Sequence, residues 1–314
     1  MQLSKKMKIA LDETRMLILG AQILLGFQLR SVFQDGYDAL PRHASYANAV
    51  SLLLMQGVTV LLITPPLWHR IVAGGEASGR IHRLTCKLTE LALVPFALSL
   101  GLDLFIAIER IAGRAAGLLA GIGFALLALL GWQGVEWWRR RRIGLKERAM
   151  SAQQRDLVET LPLHEKIDQM LTEARVILPG AQALLGFQLA IIVTKSFDAL
   201  PAASKLVHAA SLAAVAIAVI LLMAPAAYHR IVYAGEDAPE FLRTGSVLVT
   251  LATLPLALGM SGDSYVVIAR IAASAPIGIL AASAALLLSL SMWHLYPALK
   301  RGVLRRGRQL VSAE

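Results

Sequence analysis

Cysteine and charged residues are scarce in this chain. Its 314 residues include one cysteine, Cys86, and only 17% of them are charged. A single cysteine excludes a disulfide within the chain and a cysteine-based metal cluster. The sequence has no serine–histidine–aspartate arrangement, phosphate-binding loop or dinucleotide fingerprint, and its seven histidines lack the paired spacing typical of a metal or haem site. We therefore expect neither enzymatic activity, nor a bound metal, nor a cofactor.

Acidic residues are fewer than basic ones, 21 against 31, which gives a net charge of +10. A nucleic-acid-binding surface would combine basic residues with exposed aromatic residues on a soluble face, and the sequence has no such pattern. No short apolar region with a small-residue cleavage site precedes the first long apolar stretch, so no cleavable signal is predicted. Nucleic acid is therefore not an expected partner.

The chain instead contains a long internal repeat. Residues Lys6–Arg141 align with Lys166–Arg301 at a constant offset of 160 without a gap. The strongest matches are the strings that recur at this offset: Gly20-Ala21-Gln22, Gly26-Phe27-Gln28-Leu29, Asp38-Ala39-Leu40-Pro41 and His69-Arg70-Ile71-Val72. The repeat predicts two equivalent units, 1–142 and 166–314, joined by a cytoplasmic linker helix over 143–165.

Both units are rich in apolar stretches of membrane-spanning length. The chain is 56% hydrophobic, and its mean hydropathy is +0.61. Stretches of roughly 20 apolar residues are long enough to cross a hydrocarbon core. We predict an all-α integral membrane protein with eight transmembrane helices, four in each unit: Met16–Phe33, Tyr46–Trp68, Leu84–Ile108, Ala115–Trp137, Val176–Thr194, Leu206–Tyr228, Val247–Ile268 and Ile277–Tyr296.

The distribution of basic residues predicts the orientation. An even number of spans makes the repeats parallel, and we expect a pseudo-twofold axis normal to the membrane. All but seven of the 31 Lys and Arg lie on one predicted side, and the exceptions are Arg30, Arg42, Arg110, Arg114, Lys195, Lys205 and Arg270. This bias predicts that both termini are cytoplasmic and that the basic residues contact anionic lipid of the cytoplasmic leaflet.

Two strings in the second unit carry a resemblance to a known family. They are EARVILPGAQ over Glu173–Gln182 and APAAYHR over Ala224–Arg230, and Pro65–Arg70 matches the second string more loosely. They resemble an uncharacterised bacterial family of small four-span membrane proteins, some of which carry an automatic label of sodium:proton antiporter. The resemblance implies a tandem fusion of two such proteins in the bacterial inner (plasma) membrane.

Polar residues inside predicted spans are the first candidates for function, because they are costly there. Arg15, Gln22 and Gly26 share one helical face, and the second unit repeats this face with Arg175, Gln182 and Gly186. The face is suited either to helix packing or to lining a pathway, and we expect Gln22 and Gln182 to face each other or a shared polar cavity. Gln28 and Gln188, retained on another face, are further candidates.

An acid–base pair on the third span is the second candidate. Asp103 and Arg110 share a helical face, and Asp263 and Arg270 repeat them. At ~1.5 Å per residue Asp103 lies toward the outer end of its span. The pair is interpreted either as a structural ion pair or as a charge at an outer mouth that attracts cations.

The ends of the second spans supply the third candidate, His69-Arg70 and its repeat His229-Arg230. A histidine there could sense cytoplasmic pH, although an interfacial anchor is the simpler interpretation. The small residues Gly113, Gly117 and Gly121 allow close helix contact between units or between chains, so a homo-oligomer is a further expectation.

Two classes of function fit these patterns. The repeated polar faces favour a transporter or channel for a cation, a proton or a small solute, with its pathway between the two units. The absence of an ionisable residue that both units retain near the middle of the membrane favours a structural or interaction protein. We take transport as the hypothesis and the structural role as the alternative.

Overall fold

The computed structural model describes residues 3–134 and 158–302, and helices make up most of both ranges. The first unit contains four long helices: α1 Leu3–Ser31, α2 Arg42–Ile71, α3 Gly79–Ala112 and α4 Arg114–Leu129. The second unit repeats them: α5 Leu163–Ile191, α6 Ala202–Ile231, α7 Pro239–Ala272 and α8 Ala275–Leu290. The shorter elements are a 3-10 turn at Tyr37–Ala39, a helical turn at Lys195–Asp198, and π-helical turns at Leu130–Gly134 and Ser291–Leu295. The predicted tandem of two helical units is confirmed.

The last two long helices of each unit form a tight antiparallel hairpin. In the first unit Gly113, at φ 87°, separates α3 from α4, and in the second Ala273 adopts a left-handed conformation at φ 48°. Gly101 and Gly121 lie at the contact between α3 and α4, where an added Cβ on either one would approach the other's carbonyl oxygen to within 2.8 Å. The small-residue stripe on α4 therefore serves packing inside the first unit.

Seven of the described helices are long and apolar enough to cross a membrane. They are α2 to α8, with α4 counted over Arg114–Gln133 and α8 over Ala275–Gly302. Helix α1 is as long as its repeat equivalent α5, but it falls outside this set, and it carries Arg30 and Ser31 where α5 has the apolar Ala190 and Ile191. The architecture is that of a multi-pass helical membrane protein.

The two units pack through different elements. The first unit contributes α1 and α2, whereas the second contributes α5, α7 and α8 with its π-helical turn. A twofold axis relates α2 to α6 and α7 to α3, so a contact of α2 with α7 would be matched by an equal contact of α6 with α3. The predicted pseudo-twofold symmetry is therefore wrong for this interface, which joins one face of the first unit to another face of the second. One hydrophobic core extends through both units.

A short strand pair ties the units together next to the linker. Ala77–Ser78, between α2 and α3, pairs antiparallel with Val158–Glu159. Leu161 donates its backbone N–H to the Glu76 carboxylate at 2.8 Å. The end of the predicted fourth span at Trp137 and residues 143–157 of the predicted linker helix lie outside the described residues.

Candidate functional site

The first unit holds a buried polar cluster at the crossing of α1, α2 and α3. The Gln28 amide Nε2 donates to Asp103 Oδ2 at 2.8 Å, and the Ser51 hydroxyl donates to Asp103 Oδ1 at 2.7 Å. Ser99 Oγ lies 2.9 Å from Gln28 Nε2 and 2.8 Å from Ser51 Oγ. Both oxygens of this carboxyl group are therefore held by neutral donors.

The second unit repeats the amide and the acid but surrounds them differently. Gln188 Nε2 donates to Asp263 Oδ2 at 2.7 Å, and His208 Nε2–H donates to the backbone carbonyl of Gln188 at 3.1 Å. His208 Nδ1 then faces Asp263 Oδ1 at 4.0 Å, and Phe197 packs edge-on against the imidazole ring. His208 stands where the first unit has Asn48, and no hydroxyl stands at Gly259, the equivalent of Ser99.

Several buried polar atoms at these clusters have no hydrogen-bond partner in the part of the chain that the structure describes. They are Gln28 Oε1, Gln188 Oε1, His208 Nδ1 and Asp263 Oδ1. All four are hydrogen-bond acceptors that could coordinate a small cation, and His208 Nδ1 and Asp263 Oδ1 could also take up a proton. An unpaired buried acceptor costs about 1–3 kcal/mol. Because His208 Nε2 carries the hydrogen, Nδ1 and Asp263 Oδ1 are two acceptors that face each other unless one is protonated. The second cluster is thus suited to one additional proton or cation.

Asp263 also lines a small cavity between the units. The cavity has a volume of about 10 Å³, and Gln56 of the first unit and Ser264 of the second lie at its wall. The Ser264 hydroxyl donates to Gln56 Oε1, whereas the Gln56 Nε2 group has no partner. This volume is close to the minimum for one water molecule. Two residues that line this cavity, Gln56 and Asp263, thus carry a donor and an acceptor that have no partner among the described residues.

The predicted acid–base pairs on the third spans are not formed. Arg110 is exposed and has no ion-pair partner among the described residues, and Arg270 instead donates to Asp38 Oδ1 at 2.9 Å and to the Val32 carbonyl at 3.1 Å. Residues seven apart share a face but lie two turns, ~10 Å, apart along the axis, so they do not meet directly. The carboxylates bind the amides of Gln28 and Gln188 instead.

The predicted polar face of the first spans packs against the other unit only in the first unit. Gln22 packs against Gly180, and Gly26 packs against the ring of Phe187, whereas Arg15 bonds Asp12 within its own helix. Their repeat equivalents Arg175, Gln182 and Gly186 are exposed. The prediction that Gln22 and Gln182 face each other or a shared polar cavity is therefore wrong, because Gln22 packs on Gly180 and Gln182 is exposed.

The predicted His-Arg motifs also differ between the units. His69 and Arg70 both contact the carboxylate of Glu173 on α5, the imidazole at 3.2 Å, and Arg70 donates to Ser246 at 2.8 Å. All three ionisable side chains are at most 9% exposed. In the second unit His229 stacks on Phe241, and Arg230 is exposed. Glu173 was not among the candidates predicted from the sequence, although the retention of a glutamate at the equivalent position, Glu13, indicated it.

A larger cavity opens at the end of the interface that contains these residues. It has a volume of about 550 Å³, and its lining includes Glu173 and four basic side chains, Arg70, Lys166, Arg243 and Arg301. Within the described ranges, no group of three or more His, Cys, Asp or Glu side chains could hold a metal ion. The charge at this cavity therefore suits an anionic group.

The repeat agrees with the family comparison. A family model described as "Family of unknown function (DUF6328)" matches residues 2–136 and again residues 162–297. The chain belongs to this family and contains two copies of its unit. Comparisons with curated proteins and with solved structures gave no match.

Proposed function

We propose that the protein transfers protons or a small cation across the bacterial inner membrane, with the glutamine–aspartate pair of its second unit on the pathway. One observation carries this proposal: each unit holds a carboxyl group among its helices, the half-buried Asp103 or the buried Asp263, that has no Lys or Arg partner among the described residues. An ionisable residue inside a membrane bundle is costly, and it is retained where it binds an ion or a proton.

The proposed pathway passes between the units at Asp263. Support comes from the unpaired Asp263 Oδ1 and Gln56 Nε2 at the small cavity and from the unpaired His208 Nδ1 next to the same carboxyl group. A proton bound to Asp263 would move to His208 or to a water molecule in the cavity. Local helix motion would then connect this position to one side of the membrane, as alternating access requires.

Eight spans and cytoplasmic termini complete the proposal. Helix α1 becomes the eighth span because it packs beside α5 and has the same length. The excess of Lys and Arg on one predicted side supports the cytoplasmic orientation. The cavity lined by Arg70, Lys166, Arg243 and Arg301 would then open at the cytoplasmic surface, where it suits the headgroup of an anionic lipid.

A structural role is the second candidate, and the apolar packing between the units favours it. Buried residues such as Ile18, Leu25 and Leu184 belong to one core across the interface. In this alternative the glutamine–aspartate pairs only join helices, as polar side chains do in other membrane bundles.

Flux measurements on purified protein in liposomes distinguish the two functions. Proton and cation flux is followed with an internal pH dye under an imposed cation gradient or pH gradient. We expect flux with the wild-type protein and its loss in the Asp103→Asn, Asp263→Asn double variant, while Glu240→Gln, an exposed acid, serves as the matched control. Absent wild-type flux would favour the structural role, and unaltered flux in a folded double variant would remove both acids from the pathway.

A further inference from the structure

Four groups of charged contacts join the two units, and one of them, Lys8–Asp168 at 3.6 Å, is a pair of exposed side chains. The other three each include a side chain that is less than 20% exposed. Glu173 binds His69 and Arg70, Lys166 Nζ binds Glu76 Oε1 at 2.5 Å, and Arg270 binds Asp38 Oδ1 at 2.9 Å. In each case one partner belongs to the first unit and the other belongs to the second. These contacts lie at both ends of the helices and fix the relative position of the units.

Every residue of these three contacts has an identical residue 160 positions away. The equivalents are Glu13 for Glu173, His229 and Arg230 for His69 and Arg70, Lys6 for Lys166, Glu236 for Glu76, Arg110 for Arg270, and Asp198 for Asp38. Ion pairs inside a unit lack this property. His43–Glu109 has two alanines at the equivalent positions, Ala203 and Ala269. Apart from the exposed Lys8–Asp168 pair, whose two residues stand at each other's equivalent positions, the ion pairs between units are therefore the ones whose residues both repeats retain.

The equivalents of the interface residues are largely uncovered. We call the side of a unit that carries Gln22, Gly26, Arg70 and Asp38 the forward face, and the side that carries Gly180, Phe187, Glu173 and Arg270 the rear face. Inside the chain, the forward face of the first unit binds the rear face of the second. Within residues 3–134 and 158–302, nothing covers the forward face of the second unit or the rear face of the first.

Exposure and space support this description. Val32 and Phe33 on the covered forward face are 0% exposed, whereas their equivalents Ile192 and Val193 are 41% and 84% exposed. An added Cβ on Gly186 meets nothing within 4 Å, although one on the equivalent Gly26 would overlap Phe187. The free forward face is therefore an open, largely apolar surface with charges at both ends.

Opposite charges lie on the two free faces. The forward face of the second unit presents Arg230, Asp198 and Glu236, and the rear face of the first presents Glu13, Arg110 and Lys6. None of the six has an ion-pair partner in the described part of the chain. An interface between unlike faces is heterologous, and repeating it generates a ring if the rotation closes.

We propose that copies of this chain assemble head to tail into a closed ring, with the forward face of one second unit on the rear face of the next first unit. The interface between chains repeats the one inside the chain. Glu13 of one copy binds His229 and Arg230 of the neighbouring copy. Lys6 binds Glu236 of that neighbour, and Arg110 binds its Asp198. Phe27 packs on Gly186 as Phe187 packs on Gly26.

Cross-linking between differently tagged copies tests the ring. One copy carries Arg110→Cys and the other Asp198→Cys, both in a Cys86→Ser background, and a short thiol cross-linker is added to membranes that contain both. We expect a covalent dimer that carries both tags, and no cross-linked dimer when either variant is expressed alone. The matched control is Asp38→Cys with Arg270→Cys in one chain, which should cross-link internally.

Two results would overturn the proposal. The first is an internal cross-link in the control without any mixed dimer. The second is efficient cross-linking of Asp198→Cys to itself, which indicates contact between like faces. Charge reversal gives an independent measurement: Glu13→Arg with Lys6→Glu should reduce the mass of the detergent-solubilised protein to that of one chain. Adding Arg230→Glu and Glu236→Lys should restore the larger mass, and unchanged mass in the first variant contradicts the ring.

Discussion

The first and second units share their helix bounds and their glutamine–aspartate pair, yet the two acids are held differently. Asp103 receives hydrogen bonds from an amide and a serine, and both of its oxygens are partnered. Asp263 is 5% exposed, receives one amide, and keeps an oxygen without a partner opposite His208. Ser211, the equivalent of Ser51, donates to the Val207 backbone carbonyl instead of to the acid. Asn48 and Ser99 are also exchanged, for His208 and Gly259.

The comparison indicates how a duplicated unit can acquire two roles. Only the second acid lies at the interface, because the units join through unlike faces and the interface buries Asp263 beside Gln56. Gln56 and Ser264 have Ala216 and Leu104 as equivalents, so this polar cavity is specific to the interface inside the chain. The first unit therefore provides a closed hydrogen-bonded cluster, and the second provides the site that can accept a proton.

Single substitutions of the two acids should separate these roles, and this is the largest effect that we expect. Asp263→Asn should reduce proton flux in liposomes to the level of empty liposomes, because the amide cannot take up and release a proton. Asp103→Asn should leave most of the flux, because Asp103 already has both oxygens bonded. Equal losses in the two variants, at equal thermal unfolding midpoints, would contradict the assignment of transport to the second unit.

Glu173 and Glu13 provide the second comparison, between a buried acid and its exposed equivalent. Glu173→Gln leaves the buried Arg70 without its counter-charge, so the free energy of unfolding should fall by about 3–5 kcal/mol. Glu13→Gln should change it by about 0.5 kcal/mol or less, because Glu13 is exposed. Thermal unfolding in detergent at low protein concentration measures both changes, and similar midpoints for the two variants would refute the buried ion pair.

Part of this structure could be predicted from the repeat and the hydropathy. They gave the helices and the two units, and the candidate list already contained Gln28, Asp103, Gln188 and Asp263. The partners of the acids could not be predicted, because helical periodicity relates residues on one helix, whereas Gln28 and Asp103 meet between α1 and α3. The rotation of one helix about its axis relative to another decides such contacts.

The sequence also could not predict which faces of the two units meet. Two arrangements would keep the same residues at equivalent positions of the two units. In one, like faces meet across a twofold axis, and in the other, unlike faces meet head to tail. The retention of Gln22 and Gln182 therefore suggested that the two amides meet each other. In the structure Gln22 meets Gly180, the equivalent of Gly20, and only the packing of α1 on α5 distinguishes these two arrangements.

Tyr37 and its equivalent Phe197 give the last comparison, in the loops that follow the first helices. Tyr37 is 7% exposed, and its hydroxyl donates to the Ser45 carbonyl at 3.5 Å, a long hydrogen bond. Burial raises the pKa of the Tyr37 hydroxyl to about 12. A buried phenol that stays neutral binds its proton more tightly in the folded protein than in the unfolded chain, where its pKa is about 10.

This raised pKa predicts a small loss of stability at alkaline pH. The contribution is fully present below pH ~10 and is lost as the pH rises through the folded value of about 12, because the unfolded chain releases the proton first. Tyr37→Phe, which introduces the residue found at 197, should change the thermal unfolding midpoint only slightly at pH ~8. Between pH ~9 and ~11.5 the wild-type midpoint should fall faster than that of Tyr37→Phe. Because all other titrating groups are shared, the difference between the two curves isolates this hydroxyl, and parallel curves would show that Tyr37 ionises equally in both states.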